Sequence, residues 1–167
     1  VKVKPRHVAI LFRTLTEMRD YLEALRRHRI PCLTEGEKHF YERQEVIDAM
    51  NLLRAVVEPH DRLALVGVLR SSLGALPDAQ IELLNRHQLL DYRLTNTPAS
   101  IPAEVQDVYA SVAPLYSLLR DLSARLPHLP LTEVVDTVLA HAPCLELAAA
   151  SIDGEQAVAN VLKFRDL

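Results

Sequence analysis

The sequence predicts a mostly α-helical fold with a small parallel β-α-β unit at the N-terminus. Two observations predict it. A continuous apolar run at residues 8–12 is followed by a helix-spaced pattern and by a second short apolar segment, which is the order of a strand, a crossover helix and a parallel strand. From residue 42 onward, apolar residues recur at helical spacing between proline and capping signals.

Residues 8–12 (VAILF) have the continuous apolar character of a strand buried on both faces of a sheet. Residues 17–29 follow as a helix whose apolar residues lie at positions i, i+3, i+4 and i+7, and residues 32–35 are a second short strand. Two strands do not make a stable sheet alone. Since the chain starts at Val1 without an initiator Met and stops at Leu167 within a helical pattern, we expect it to be part of a longer protein that supplies further strands.

The rest of the chain predicts a series of helices. Residues 42–57 carry a broad apolar stripe that Pro59 closes, Asp61 caps a helix through residue 69, and Pro77 opens another. The polar, proline-bearing stretch at residues 92–102 predicts a long loop.

The second half of the chain contains the longest predicted helix, residues 102–126, and we expect Pro114 to kink or divide it. Thr132 is the predicted cap of the next helix. Asp153 and Gln156 have the spacing of a capping box at the start of the last one.

Composition narrows the class of protein. The 167 residues are 49% hydrophobic, which is ample for a core, yet no apolar run approaches the roughly 20 residues of a membrane span. We therefore expect a cytoplasmic protein with no membrane partner. The two cysteines, Cys32 and Cys144, are far apart and the seven histidines are scattered, so the sequence predicts reduced, buried cysteines and no metal site.

The net charge of −3 conceals an asymmetry. Residues 1–45 hold 10 Lys and Arg against 7 Asp and Glu, a balance of +3, whereas residues 46–167 hold 9 against 15, a balance of −6. A polyanionic partner is therefore expected to meet the N-terminal segment first.

Several motifs occur in order along the chain: FRT at residues 12–14, ALRRHRIP at 24–31 and GEKHFYERQEV at 36–46, followed by Pro59-His60-Asp61. Together they resemble the C-terminal half of UvrD/Rep-type superfamily 1 DNA helicases. LRSSLGALPDAQ at residues 69–80 and DGEQAVANVLKF at 153–164 resemble elements of the nuclease-linked AddA/RecB branch.

The resemblance implies a fragment with two parts. Residues 1–41 are expected to start the second RecA-like α/β motor domain, and residues 42–167 to form the helical subdomain inserted into it. Such helicases move 3′ to 5′ along single-stranded DNA with ATP and Mg²⁺, in repair or recombination. The chain has no GxxxxGK[ST] loop, no acidic Mg²⁺-binding box and no QxxR-type arginine motif, so we expect the fragment alone not to hydrolyse ATP and to hold no cofactor.

Arg13 is the principal candidate for DNA contact. It directly follows the predicted strand at residues 8–12, so it projects from the edge where open α/β sheets place ligands. In the family the matching arginine contacts the phosphate backbone of single-stranded DNA, and Thr14 is beside it in the same motif. The family's asparagine two residues on is Leu15 here. The alternative role for Arg13 is an ion pair with Glu17 or Glu42.

The segment at residues 36–46 combines possible DNA contacts with a junction between the two parts. His39 occupies the position where relatives carry a cation, and Lys38 is beside it. The structural residues are expected to be a turn glycine (Gly36), an aromatic pair that either stacks on bases or enters the core (Phe40 and Tyr41), and a hinge pair (Arg43 and Glu45).

Arg70 and Ser71, with Ser72 and Gly74, lie where the helical insertion of UvrD relatives grips duplex phosphates through a glycine-containing loop. The Gly-x-Gly form of that loop is lost here, which favours a plain connection between helices.

Two other classes of function compete with the helicase fragment. The acidic remainder of the chain and its apolar helices also suit a protein-interaction module that docks an accessory subunit or a nuclease. The other class, a stand-alone hydrolase, would rest only on scattered Ser, His and Asp residues, because the sequence has no GxSxG motif.

Overall fold

The computed structural model describes residues 3–14, 18–34, 40–95 and 101–167; the side chains of Arg19 and Leu131 are not among the described parts. These residues form eight α-helices: α1 (Met18–Arg27), α2 (Gln44–Val57), α3 (Arg62–Arg70), α4 (Asp78–Arg86), α5 (Gln106–Arg125), α6 (Leu131–His141), α7 (Cys144–Ala149) and α8 (Gly154–Arg165). Short 3₁₀ turns occupy Pro5–His7, Phe40–Glu42, Ala103–Val105 and Leu126–His128.

Helix α2 lies at the centre of the fold because it is apolar over most of its circumference. It packs against α3, α5, α6 and α8. Leu52, Ala55 and Val56 enter a large core that extends through α3, α4, α5 and part of α6. Ala49, one turn earlier, enters a smaller core formed with α6, α7 and α8. One helix therefore joins the two cores.

The predicted β-α-β unit is wrong, because the described residues contain no β-strand. The apolar run at residues 8–12 is an irregular segment before α1, and Val8, Ile10 and Leu11 expose 61%, 50% and 94% of their surface. Residues 32–34 are also irregular, and residue 35 lies outside the described part. A strand persists only where neighbouring strands pair its backbone and cover its faces, and neither segment has such a neighbour among the described residues. The partial RecA-like α/β domain expected for residues 1–41 is therefore not observed.

The helical predictions fared better. A helix covers most of each predicted helical range, and the predicted cap of α3 is confirmed: Asp61 Oδ1 accepts a hydrogen bond from the backbone N–H of Ala64 at 2.9 Å. That bond, together with Arg54 Nη2 at 2.6 Å from the other carboxylate oxygen, lowers the pKa of Asp61. Thr132 does not cap α6, because the helix already begins at Leu131 after Pro130, whose carbonyl accepts the N–H of Glu133.

Helix α5 continues through Pro114 and is not divided there. A proline in a helix leaves the carbonyl four residues earlier without its N–H partner. Here that carbonyl belongs to Ala110, and both Ala110 and Pro114 are exposed. Solvent can therefore hydrate the unpaired carbonyl, which explains why the helix tolerates proline at this position.

A buried tyrosine completes the end of α2. The carbonyl of Ala55 would bond the N–H of residue 59 in a continuing helix, but Pro59 has no N–H. Tyr92, which is 1% exposed, donates its hydroxyl to that carbonyl at 2.7 Å.

We expect Tyr92→Phe to lower the free energy of unfolding by about 1 to 2 kcal/mol, because it leaves a buried carbonyl without a donor while preserving the shape of the ring. Denaturant titration followed by circular dichroism measures the change. Tyr21→Phe, at a half-exposed position in α1, is the control and should leave the midpoint unchanged. Equal stability of Tyr92→Phe and the unmodified chain would contradict the proposed role of the hydroxyl.

Within the described residues, no helix is both long enough and apolar enough to cross a membrane.

Candidate nucleic-acid interface

Arg13 and Thr14 lie at an exposed bend between the irregular segment and α1. The ring of Phe12 packs edge-on against Tyr21 of α1, with centroids 5.0 Å apart, and this contact holds the bend against the helix. Among the described residues Arg13 makes no hydrogen bond or ion pair, so the alternative pairing with Glu42 is not observed. Glu17, the other alternative partner, lies outside the described residues.

The segment that carries Arg13 is basic. Residues 3–34 contain seven Lys and Arg against three Asp and Glu, a balance of +4. Lys4 and Arg6 are exposed, and Arg26, Arg27 and Arg29 cluster at the end of α1. Arg27 pairs with Glu23 at 3.1 Å and Arg26 with Asp153 at 2.9 Å. Exposed pairs of this kind are weak, so the segment keeps a positive potential.

The turn after α3 uses its polar groups internally. Ser71 is 5% exposed; its hydroxyl donates to the carbonyl of Val68 at 2.7 Å and accepts from the N–H of Leu73 at 3.2 Å. Arg70 is exposed and pairs with Asp78 at 3.0 Å. Arg70 is therefore the side chain of this predicted pair that faces solvent, whereas Ser71 stabilises the turn.

Gly74 in the same turn has a packing role. A Cβ on this residue would lie 2.3 Å from the carbonyl oxygen of Leu69 and 2.5 Å from its Cα. The chain folds back here so that the N–H of Leu76 bonds the same oxygen at 2.9 Å. Glycine is required for this close backbone approach, which agrees with the plain helix connection that the sequence favours.

Phe40 is packed at the predicted junction. Its ring is 7% exposed, contacts Tyr41 edge-on at 5.1 Å, and lies 4.8 Å below the ammonium group of Lys163 in α8. Tyr41 remains 61% exposed. Phe40 is thus a core residue stabilised by a cation–π contact, while Tyr41 keeps a free face. Gly36, Lys38 and His39 lie outside the described residues.

Arg43 and Glu45 begin α2 at this junction. The carbonyl of Arg43 accepts the N–H groups of Val46 and Ile47, which starts the helix. Glu45 Oε1 accepts a hydrogen bond from Asn160 Nδ2 of α8 at 2.6 Å. Asn160 Oδ1 in turn accepts from Gln156 Nε2 at 3.1 Å.

Gln156 extends this set of bonds to the N-terminal segment. Its Oε1 accepts from the backbone N–H of Thr34 at 2.7 Å and from the Thr34 hydroxyl at 3.0 Å. Its Nε2 also donates to the Thr34 carbonyl at 3.4 Å. We call Thr34, Gln156, Asn160 and Glu45 the amide relay; it joins three separate parts of the chain.

Sequence reasoning missed the amide relay. It assigned Asp153 and Gln156 to a capping box, but Asp153 makes no side-chain cap in α8 and instead pairs with Arg26. A usable signal existed: Gln156 and Asn160 are four residues apart and alternate with the buried Ala157 and Val161. Amides beside an apolar stripe indicate polar groups that need partners inside the protein.

A cavity of about 130 Å³ lies between α2, α7, α8 and the turn after α3. Burial raises the pKa of Asp48 on its wall, and burial raises the pKa of Cys144 to about 11, so the thiol is protonated at neutral pH. Among the described residues no group of three His, Cys, Asp or Glu side chains is placed to hold a metal ion.

The chain is similar in sequence to several proteins that are named as helicases. The DNA helicase II of Haemophilus influenzae is 27% identical over 144 residues, which cover 83% of this chain and 20% of the relative. The ATP-dependent DNA helicase PcrA of Staphylococcus epidermidis is 22% identical over 172 residues, covering 98% of this chain and 22% of the relative. An ATP-dependent helicase/nuclease subunit of Desulforudis audaxviator is 35% identical over 77 residues, covering 46% and 6%.

The chain thus spans less than a quarter of the length of each of these relatives. The family model of the UvrD-like helicase C-terminal domain matches residues 1–123, about three quarters of the chain. The chain therefore belongs to the UvrD-like helicase C-terminal domain family.

Proposed function

We propose that this chain is the DNA-contacting and regulatory part of an ATP-dependent 3′–5′ DNA helicase of repair or recombination. The observation that carries the proposal is Arg13, which is exposed and unpaired among the described residues. It lies in a segment, residues 3–34, whose net charge is +4, and the chain belongs to the helicase family. Thr14 and Arg70 supply further contacts at the surface. Lys38 and His39 belong to the same proposal from the sequence resemblance alone.

Nucleotide chemistry is assigned to other parts of the full-length protein. The residues of this chain do not fit an ATP–Mg²⁺ site, because the sequence has no phosphate-binding loop and the described residues form no metal-binding group. We propose that the full-length helicase supplies those groups and that this chain alone hydrolyses no ATP.

The proposal predicts that Arg13→Ala weakens binding to a tailed DNA duplex about 5-fold, because one phosphate contact is lost, and reduces the dependence of log affinity on log salt by about 0.7 to 0.9. Fluorescence anisotropy of the labelled duplex, measured at low and moderate NaCl, tests both numbers. Arg86→Ala removes an equally charged, exposed arginine from α4 and is the control. Binding that changes with neither Arg13 nor salt would refute direct contact.

A second function has two supporting observations. One relative is named as a subunit of a helicase/nuclease, and two apolar residues that flank the α2–α3 connection, Val57 of α2 and Leu63 of α3, expose 59% and 75% of their surface. Docking of a nuclease or accessory subunit on that connection is the alternative. If the chain binds no DNA but co-sediments with a purified nuclease, and Leu63→Asp abolishes that co-sedimentation, the alternative replaces the proposal.

A further inference from the structure

In the amide relay, the side-chain amide of Gln156 bonds both backbone groups of Thr34, as a neighbouring β-strand would. Gln156 accepts from the N–H of Thr34 and donates to the carbonyl of the same residue. Because Gln156 bonds both backbone groups of Thr34, the orientation of its amide is fixed. The position of Thr34 along the axis of α8 is fixed as well. The N-terminal segment is therefore held to α8 in one register.

The remaining bonds of the relay have a fixed direction. Because Gln156 Nε2 donates to Asn160 Oδ1, the Asn160 Nδ2 group is turned toward Glu45 and donates to it. Asn160 is 5% exposed. A buried amide group that loses its partner is costly, so the three side chains favour a single arrangement of the N-terminal segment, α8 and the start of α2.

The relay is linked to Arg13 through α1. Thr34 follows α1, and Arg26 near the end of α1 pairs with Asp153 at the start of α8. Tyr21 of α1 contacts Phe12, the residue before Arg13. Helix α1 therefore lies between Arg13 and the part of α8 that carries the relay.

We propose that Gln156 and Asn160 are positioning residues for DNA binding, which hold the segment that carries Arg13 in a fixed orientation against the helical part of the chain. The inference rests on the proposed DNA contact of Arg13. In this inference α8 acts at a distance from the nucleic acid, because neither Gln156 nor Asn160 touches DNA. The two amides determine where Arg13 contacts the DNA.

The test is Asn160→Asp. This substitution replaces the donor with a carboxylate directly beside Glu45, so that like charges face each other across the junction. At pH 7.5 we expect affinity for the tailed duplex to fall about 3- to 5-fold, up to the full effect of Arg13→Ala.

Asn85→Asp is the matched control, because it adds the same charge at an exposed site on α4. It should change affinity by less than about 1.5-fold, as surface substitutions generally do. Gln156→Glu is the second variant. It keeps the acceptor for Thr34 but loses both donated bonds, so it should weaken DNA binding in the same direction while the chain stays folded.

The decisive comparison is a double-mutant cycle. If the amides act through Arg13, Asn160→Asp should have no further effect in a chain that already carries Arg13→Ala. Equal losses in both backgrounds would overturn the positioning role, and so would faster hydrogen exchange at the Thr34 amide with unchanged DNA binding. Failure of the proposed function is distinguishable, because the unmodified chain would then bind no DNA while exchange at Thr34 still responds to Asn160→Asp.

Discussion

Leu52→Ala is expected to lower the free energy of unfolding by about 3 to 4 kcal/mol, the largest effect of any substitution considered for this chain. Leu52 is fully buried in α2, within the large core. Its truncation removes apolar surface and leaves a void, and the surrounding helices can close only part of that void because α2 is packed on several sides. Urea denaturation followed by circular dichroism measures the loss.

Leu63→Ala is the matched control for Leu52→Ala. It makes the same chemical change on the neighbouring helix α3, at a position that is 75% exposed. We expect a change within about 0.5 kcal/mol. Similar losses for the two variants would mean that α2 is not the central helix of the fold.

Gly74→Ala is expected to destabilise the chain by about 2 to 3 kcal/mol, although it adds one methyl group. The new Cβ would overlap the backbone of Leu69, which cannot move aside as a flexible side chain can. The hydrogen bond from Leu76 to Leu69 must lengthen or break, and the buried side chain of Leu76 shifts with it. Thermal unfolding by calorimetry measures the effect.

The adjacent substitution Ala75→Gly should act in the opposite direction. Ala75 has a φ of 50°, in the left-handed region where glycine is favoured over alanine. We expect the free energy of unfolding of Ala75→Gly to be unchanged or raised by up to about 1 kcal/mol. Opposite signs at neighbouring residues would establish that the turn is limited by backbone geometry. If Gly74→Ala proves neutral, the close approach to Leu69 is not required.

The helices of this protein were largely predictable, because helical periodicity is local. Asp61, followed by an apolar pattern, is sufficient to predict the start of α3, and its side chain indeed caps the helix. The irregular conformation of residues 8–12 was not predictable in this way. Five apolar residues indicate burial, but burial of a strand depends on neighbours that a local pattern cannot supply, and here Leu11 is 94% exposed.

The candidate site was also predicted only in part, because local patterns do not reveal contacts between distant residues. The order and spacing of the motifs predicted Arg13 as a candidate and indicated the helicase family. They did not predict the amide relay. Asp153 and Gln156 have the spacing of a capping box, and spacing alone does not reveal whether such side chains bond their own helix or a residue far away in the sequence. Thr34 is 122 residues from Gln156, so the contact becomes evident only in three dimensions.

That separation has a consequence for synthesis on the ribosome. The arginine-bearing segment is translated before its docking partner on α8, because Gln156 lies 122 residues after Thr34 in the chain. At about 5 to 20 residues per second, translation takes roughly 6 to 24 seconds to reach Gln156. Throughout that interval Thr34 has no partner on α8, so the N-terminal segment cannot take its final position against the helices until α8 has been made.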